Sequence, residues 1–197
     1  MICLNTSLPV RSVGDLITLA KKEPGKINYA SAGTGSGIHL ATEYFAAMAG
    51  IKLTHIPYKG AAPALTDVIG VHVAFYFSSL PAAVGLVKDG KVRALAVTGS
   101  KRSPIFPDVP TVAEAALAGY EAVLHYGIVA PAGTPRPIIG KLSATLRTAV
   151  ASDEVKSRIV DDGAEPVGSA PEEYAADIDR EETKWSAIVK LAGARAE

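Results

Sequence analysis

From residue 12 to residue 98 the hydrophobic pattern keeps changing period, short apolar runs of strand type alternating with stretches of helical spacing. Strands that alternate with helices at this spacing predict an α/β fold, with a parallel or mostly parallel sheet covered on both faces. Ser12-Val-Gly-Asp15 reads as a capping box opening a helix through Leu16, Leu19 and Ala20, and Pro24-Gly25 ends it. Strands are predicted at 27–31, 53–56, 73–77 and 92–98, and helices from His39 to a stop at Gly50, over 61–69 and over 81–88. Pro63 is tolerated in the first turn of its helix.

Composition narrows the partners. The 197 residues carry 20 Lys+Arg against 20 Asp+Glu, so no electrostatic footprint for nucleic acid or an acidic membrane is present. The lone Cys3 can form no internal disulfide and no cysteine-based zinc site, and the four histidines lack metal-ligand spacing. No apolar stretch approaches the roughly 20 residues that span a bilayer, and the first four residues are too short for a signal peptide.

After a proline-rich surface loop over 102–110, a second segment begins near the apolar run Val123-Leu-His-Tyr-Gly-Ile-Val-Ala130. Helices are predicted from Pro131-Ala-Gly-Thr-Pro135 through Leu146 and from Ser152 through Ile159, with a small strand over 164–167. A last helix opens at Pro171 and carries an apolar stripe of Tyr174, Ile178, Trp185, Ile188, Val189 and Ala192. Two thin strands make a poor independent sheet, so this segment is expected to complete something larger.

Tyr29-Ala-Ser-Ala-Gly-Thr-Gly-Ser-Gly-Ile-His39 places hydroxyls and bare backbone between a strand and a helix start. A helix N-terminus offers unpaired N–H groups and partial positive charge, which suits a carboxylate or phosphate. The bland alternative is a tight turn with Ser36 as the helix cap. Spacing excludes sharper motifs: the dinucleotide fingerprint needs glycine where Ile38 stands, and a hydrolase elbow needs glycines where Thr34 and Ile38 flank Ser36. Tyr58-Lys-Gly60 before Ala61 and Ala62 repeats the helix-start logic, with Lys59 adding charge or else merely solvated. Ser78-Ser79 follows the third strand. Loops at strand carboxyl ends form the ligand crevice of an open α/β sheet, so these three are expected to converge. His72 and His125 read as satisfied or exposed.

Taken together, Ala32-Gly-Thr-Gly-Ser-Gly-Ile-His-Leu40, His55-Ile-Pro-Tyr-Lys-Gly-Ala-Ala-Pro-Ala-Leu65, Gly90-Lys-Val-Arg-Ala-Leu-Ala-Val97, Arg102-Ser-Pro, Pro107-Asp-Val-Pro-Thr-Val-Ala-Glu-Ala115, Ala130-Pro-Ala-Gly-Thr-Pro135 and Gly163-Ala-Glu-Pro-Val-Gly168 resemble the Bug family. These are periplasmic solute-binding receptors of tripartite tricarboxylate transporters. The resemblance is collinear along the whole chain. It implies a type II periplasmic-binding-protein-like fold whose two lobes close over a small carboxylate without catalysis. Delivery would be to two integral-membrane transporter subunits, and some members also present their ligand to a sensor protein. The implied site comprises Ser31, Ala32, Thr34, Gly35, Ser36 and His39 from one loop, Tyr58, Lys59, Gly60 and Ala61 from the next, and Ser78, with no metal and no cofactor.

The chain departs from the family pattern in three places. A signal peptide and the start of the first lobe, with a Pro-Gly-Gly loop, usually come before the point where this sequence begins. The expectation is therefore a nearly complete second lobe over 5–124, with 125–197 as the remainder of a first lobe lacking its beginning. Ala74 and Ser78 stand where the family often has acidic residues, favouring a plain carboxylic acid over an amino acid. His125-Tyr126 replaces a frequent Trp-Phe near the hinge. Two other readings are kept: a protein-interaction module using the surface a missing lobe exposes, and a serine hydrolase using Ser36 and His39.

Overall fold

The computed structural model describes residues 1–192, with side chains to residue 190. The elements run β1 (Ile2–Leu4), α1 (Val13–Lys22), β2 (Asn28–Ser31), α2 (Gly37–Ala49), β3 (Thr54–Pro57), α3 (Ala61–Ile69), β4 (Phe75–Phe77), α4 (Leu80–Lys88), β5 (Arg93–Ala96), α5 (Val112–Ala115), α6 (Arg136–Ala151), α7 (Asp153–Asp161) and α8 (Pro171–Ala192). The described residues divide into two compact units, one of residues 1–124 and 187–192 and the other of residues 125–186.

The first unit is an α/β unit around one five-stranded sheet in the order β3-β2-β4-β1-β5. β2 runs parallel to both β3 and β4, whereas β1 runs antiparallel to β4 and β5. The sheet is therefore mixed, which corrects the mostly parallel expectation. The difference comes from β1, a three-residue strand too short to show a period, whose side chains are wholly buried between two neighbours. It lies ahead of residue 5, inside the sheet. Helices cover both faces because β4 alternates: Phe77 meets Phe45 of α2 edge-on at 5.6 Å, while Tyr76 joins Ala64, Leu65 and Val68 of α3 and Ala83 of α4.

Local chemistry sets the helix ends. The Asp15 amide donates to Ser12 Oγ and the Ser12 amide to Asp15 Oδ2, each at 3.0 Å, so the predicted capping box forms. α2 ends at Gly50, whose φ of 62° admits the left-handed turn. A second capping box, between Thr111 and Glu114, opens α5 inside the stretch read as loop and its continuation, and Val97 bridges to Thr111 beside it.

The second unit comprises α6, α7 and α8 as far as Ser186. Neither the apolar run 123–130 nor 164–167 is a strand. A strand needs a partner edge, and the described residues of this unit offer none. Tyr126, Ile128, Val129 and Val167 are each more than 70% exposed, and α6 and α7 bury no residue fully. In α8, Ile188 is buried and Tyr174 and Trp185 are half-buried, but Ile178 is exposed; the Ala192 side chain lies outside the described residues.

Candidate ligand-binding site

Because β3 and β4 flank β2 and both run parallel to it, the carboxyl ends of the three strands share one edge of the sheet, and the loops that follow start helices α2, α3 and α4 there. The first two loops are bonded together. The Gly60 amide donates to the Ala32 carbonyl at 3.2 Å and the Tyr58 amide to the Ser31 carbonyl at 3.1 Å. Continuing the β2–β4 register, in which Ala30 pairs with Tyr76, sets Ser78 beside Ala32. Thus the loop containing Ser31, Ala32, Thr34, Gly35 and Ser36 lies between those of Tyr58, Lys59, Gly60 and Ala61 on one side and Ser78 on the other.

Within the first loop Gly33 is the tightest point. Its φ of 132° belongs to glycine, and an added Cβ would lie 3.3 Å from the Tyr58 carbonyl oxygen. Its amide donates to Ser31 Oγ at 3.1 Å and its carbonyl accepts from the Ser36 amide at 3.1 Å. Ser36 is the N-cap of α2, its hydroxyl accepting from the His39 amide at 3.3 Å. The amides of Gly37 and Ile38, at the first two helical positions, have no intrahelical acceptor. Ala61 and Ala62 stand likewise in α3, where Gly60, with a φ of 112°, supplies no side-chain cap and leaves the helix end open. In α4 the cap residue Ser79 makes no side-chain bond and Pro81 lacks an N–H, so this third helix start has fewer donors. Ser78 is buried, its hydroxyl donating to the Ser79 carbonyl at 3.0 Å. Thr34, Gly35 and Lys59 are exposed at the rim. Leu124 lies across the α2 start, where a Cβ on Gly37 would come within 2.6 Å of its Cδ2.

His39 does not pair with Ser36. Its Nδ1 accepts from the Gly35 amide at 3.1 Å, and Ser36 Oγ engages the His39 backbone instead, so the nucleophile and base of the hydrolase reading are not joined. The closest serine–imidazole contact is Ser31 Oγ to His55 Nε2, at 2.6 Å, with Ser31 fully buried. His55 is the site neighbour that sequence reasoning missed. It is the register partner of Tyr29, so the two rings stack at 5.0 Å, and His39 stacks on His55 at 4.1 Å. Burial, with the neighbouring His39 adding to it, lowers the His55 pKa to about 4. Burial lowers that of His39 too, against an opposing pull from Glu43. Both rings are neutral at pH 7. The Tyr29 hydroxyl bonds the Glu43 carboxylate, and the Tyr58 hydroxyl donates to Asp67 Oδ2 at 2.6 Å; burial first and Asp67 second raise the Tyr58 pKa to about 12. His72 and His125 are exposed and distant in sequence from this cluster.

Among the described residues no group of three or more His, Cys, Asp or Glu side chains is placed to hold a metal ion, and no helix is long and apolar enough to cross a membrane. A cavity of about 630 Å³ lies in the other unit, lined by α6, α7 and residues 166–168 and including Arg147 and Lys156. Its lining is mostly solvent-exposed side chains, with no buried polar group aimed into it, whereas the strand-end loops hold a buried polar network.

The sequence matches the family described as tripartite tricarboxylate transporter family receptor over residues 1–194. The chain belongs to this family. BugT from Bordetella pertussis is 34% identical over 195 residues, which is 99% of this chain and 60% of that protein. The protein of the tcbD-tcbE intergenic region of Pseudomonas sp. strain P51 is 38% identical over 91% of this chain and 54% of its own length. The chain thus spans little more than half the length of these curated relatives. Among solved structures, an R. palustris protein with adipate superimposes at a TM-score of 0.93 with 38% identity, covering 98% of this chain and 65% of that one. MatC from Rhodopseudomonas palustris, with bound malate, gives 0.84 at 27% identity over 96% and 65%. The periplasmic binding protein BugD gives 0.90 at 33% identity over 100% and 66%. The fold is that of periplasmic binding proteins.

Proposed function

We propose that this chain is the ligand-capturing part of a solute-binding receptor that takes up a small carboxylate in the periplasm and passes it to two integral-membrane transporter subunits. The observation that carries the reading is the pair of adjacent helix starts, α2 capped by Ser36 and α3 without a side-chain cap, locked side by side by the bond from the Gly60 amide to the Ala32 carbonyl. Their free amides at Gly37, Ile38, Ala61 and Ala62 form a donor set for one carboxylate, requiring no surplus of Lys or Arg. That agrees with a net charge of zero. The proposed site residues are Ser31, Ala32, Thr34, Gly35, Ser36, His39, Tyr58, Lys59, Gly60, Ala61 and Ser78. Adipate and malate in the two related structures support the ligand class. None of these loop residues is acidic and the Ser78 hydroxyl is engaged by Ser79, so a ligand ammonium group finds no counter-charge here and a plain dicarboxylate is favoured over an acidic amino acid.

Calorimetric titration with di- and tricarboxylates, nicotinate and aspartate tests this. The expected result is saturable binding of a dicarboxylate, with aspartate weaker; a folded chain that binds none of them overturns it. The exposed Tyr126, Ile128, Val129 and Val167 support a second reading, in which the second unit docks on another protein or another copy. Mass determination in solution decides that reading, and a clean monomer with no dye-binding apolar surface counts against it.

A further inference from the structure

His39 and His55 do more than fill space behind the loop. Each bonds it at a different point: His55 Nε2 meets the Ser31 hydroxyl at 2.6 Å where the loop leaves β2, and His39 Nδ1 takes the Gly35 amide at 3.1 Å just before α2 begins. Between those anchors lie Ala32, Gly33 and Thr34, with Gly33 and Gly35 both at positive φ, so the loop has little intrinsic rigidity. The two rings stack on each other at 4.1 Å with planes 16° apart, and Tyr29 extends the stack, which fixes both imidazoles by packing. The titratable groups facing the pair are Tyr29 from β2, its hydroxyl partner Glu43 from α2, and each imidazole for the other.

We propose that His39 and His55 are positioning residues that hold the glycine loop in its ligand-ready shape, and that through the bond from Gly35 to His39 they make carboxylate capture depend on pH. The inference rests on the receptor reading above. Its chemistry is the tautomer. An Nδ1 that accepts from an amide carries no proton, so His39 is neutral with its N–H at Nε2. Protonation places a second N–H at Nδ1, facing the Gly35 N–H donor to donor, and the bond is lost. The charge also faces a stacked imidazole. Acidification therefore releases the loop and reduces the fraction of chains competent to bind.

Two measurements on the full chain test this separately. In ligand-free protein, the Gly35 amide resonance is followed by NMR from pH 7.5 to 5.0 alongside the His39 ring signals. The expected result is that the amide moves with His39 titration and stays still in His39→Asn, whose amide oxygen replaces Nδ1 as acceptor without titrating. A Gly35 amide indifferent to His39 protonation overturns the proposal. Adipate affinity is then measured calorimetrically on wild type, His39→Asn and His39→Phe. The ratio of wild-type to His39→Asn affinity cancels adipate's own titration, and it is expected to fall steadily between pH 7.5 and 5.0. His39→Asn should bind at least about threefold more tightly than His39→Phe at pH 7.5. A constant ratio overturns the proposal; if adipate does not bind, the amide titration alone decides the role of His39.

Discussion

Replacing Gly33 by alanine perturbs the point where the two donor loops press together, and Gly60 supplies the control. Both residues have positive φ, 132° and 112°, so alanine at either position incurs about 1–3 kcal/mol of conformational strain. Only at Gly33 does the new methyl meet something. Its Cβ would lie 3.3 Å from the Tyr58 carbonyl oxygen, whereas nothing lies within 4 Å at Gly60. A backbone oxygen held in a strand-end loop cannot rotate aside, so the loops must part by a few tenths of an ångström, adding about 1–2 kcal/mol by analogy with overpacked cores. The movement also strains the bond from Gly60 to Ala32, on which the juxtaposed helix starts depend. Urea denaturation followed by far-ultraviolet circular dichroism should give a loss of about 3 kcal/mol for Gly33→Ala against about 1.5 kcal/mol for Gly60→Ala. Equal losses for the two variants would refute the argument that the loops are pinched together at Gly33.

Three further outcomes follow from the same geometry. Ser12→Ala removes the hydroxyl that accepts from the Asp15 amide and should cost about 1 kcal/mol in thermal or urea unfolding, with no effect on ligand binding. Val71 is the one non-glycine residue at positive φ among those described, at 63°, and its side chain is 51% exposed, so Val71→Asn should raise stability by about 1 kcal/mol; a loss would show that the turn is unstrained. The folded-state pKa of His55 is about 4 against 6.5 in the unfolded chain, so the unfolded state takes up the proton first and stability should decline as pH falls from 6.5 towards 4. With solvent screening of a half-buried ring that decline should be about 1–2 kcal/mol, and His55→Gln should flatten it in pH-dependent unfolding curves.

What the sequence made legible was chemistry that acts over a few residues. The Ser12 box, the Gly50 stop and the helix starts at the glycine loop depend on hydroxyls, carboxylates and φ preferences a few positions apart, and each stands where those residues place it. The same logic was available at Thr111 and Glu114, whose spacing announces α5. What stayed hidden was set by pairing across the chain. The antiparallel β1 is too short to show a period, and its direction is decided by the strands it joins, β4 and β5. The run 123–130 is apolar enough for a strand, yet a strand also needs an edge to bond. His55 is an ordinary strand residue in the sequence. Only the register that sets it opposite Tyr29, together with the first turn of α2 that delivers His39, turns three separated rings into one stack behind the loop.

The central claim, that the α2 and α3 starts hold one carboxylate between them, is tested most directly by titrating adipate into the chain and following the backbone amides by two-dimensional NMR. Saturable shifts at Gly37, Ile38, Ala61 and Ala62, sharing one dissociation constant, are the predicted result. Shifts confined to the cavity around Arg147 and Lys156, or a folded protein whose amides at both helix starts do not respond, would contradict the account.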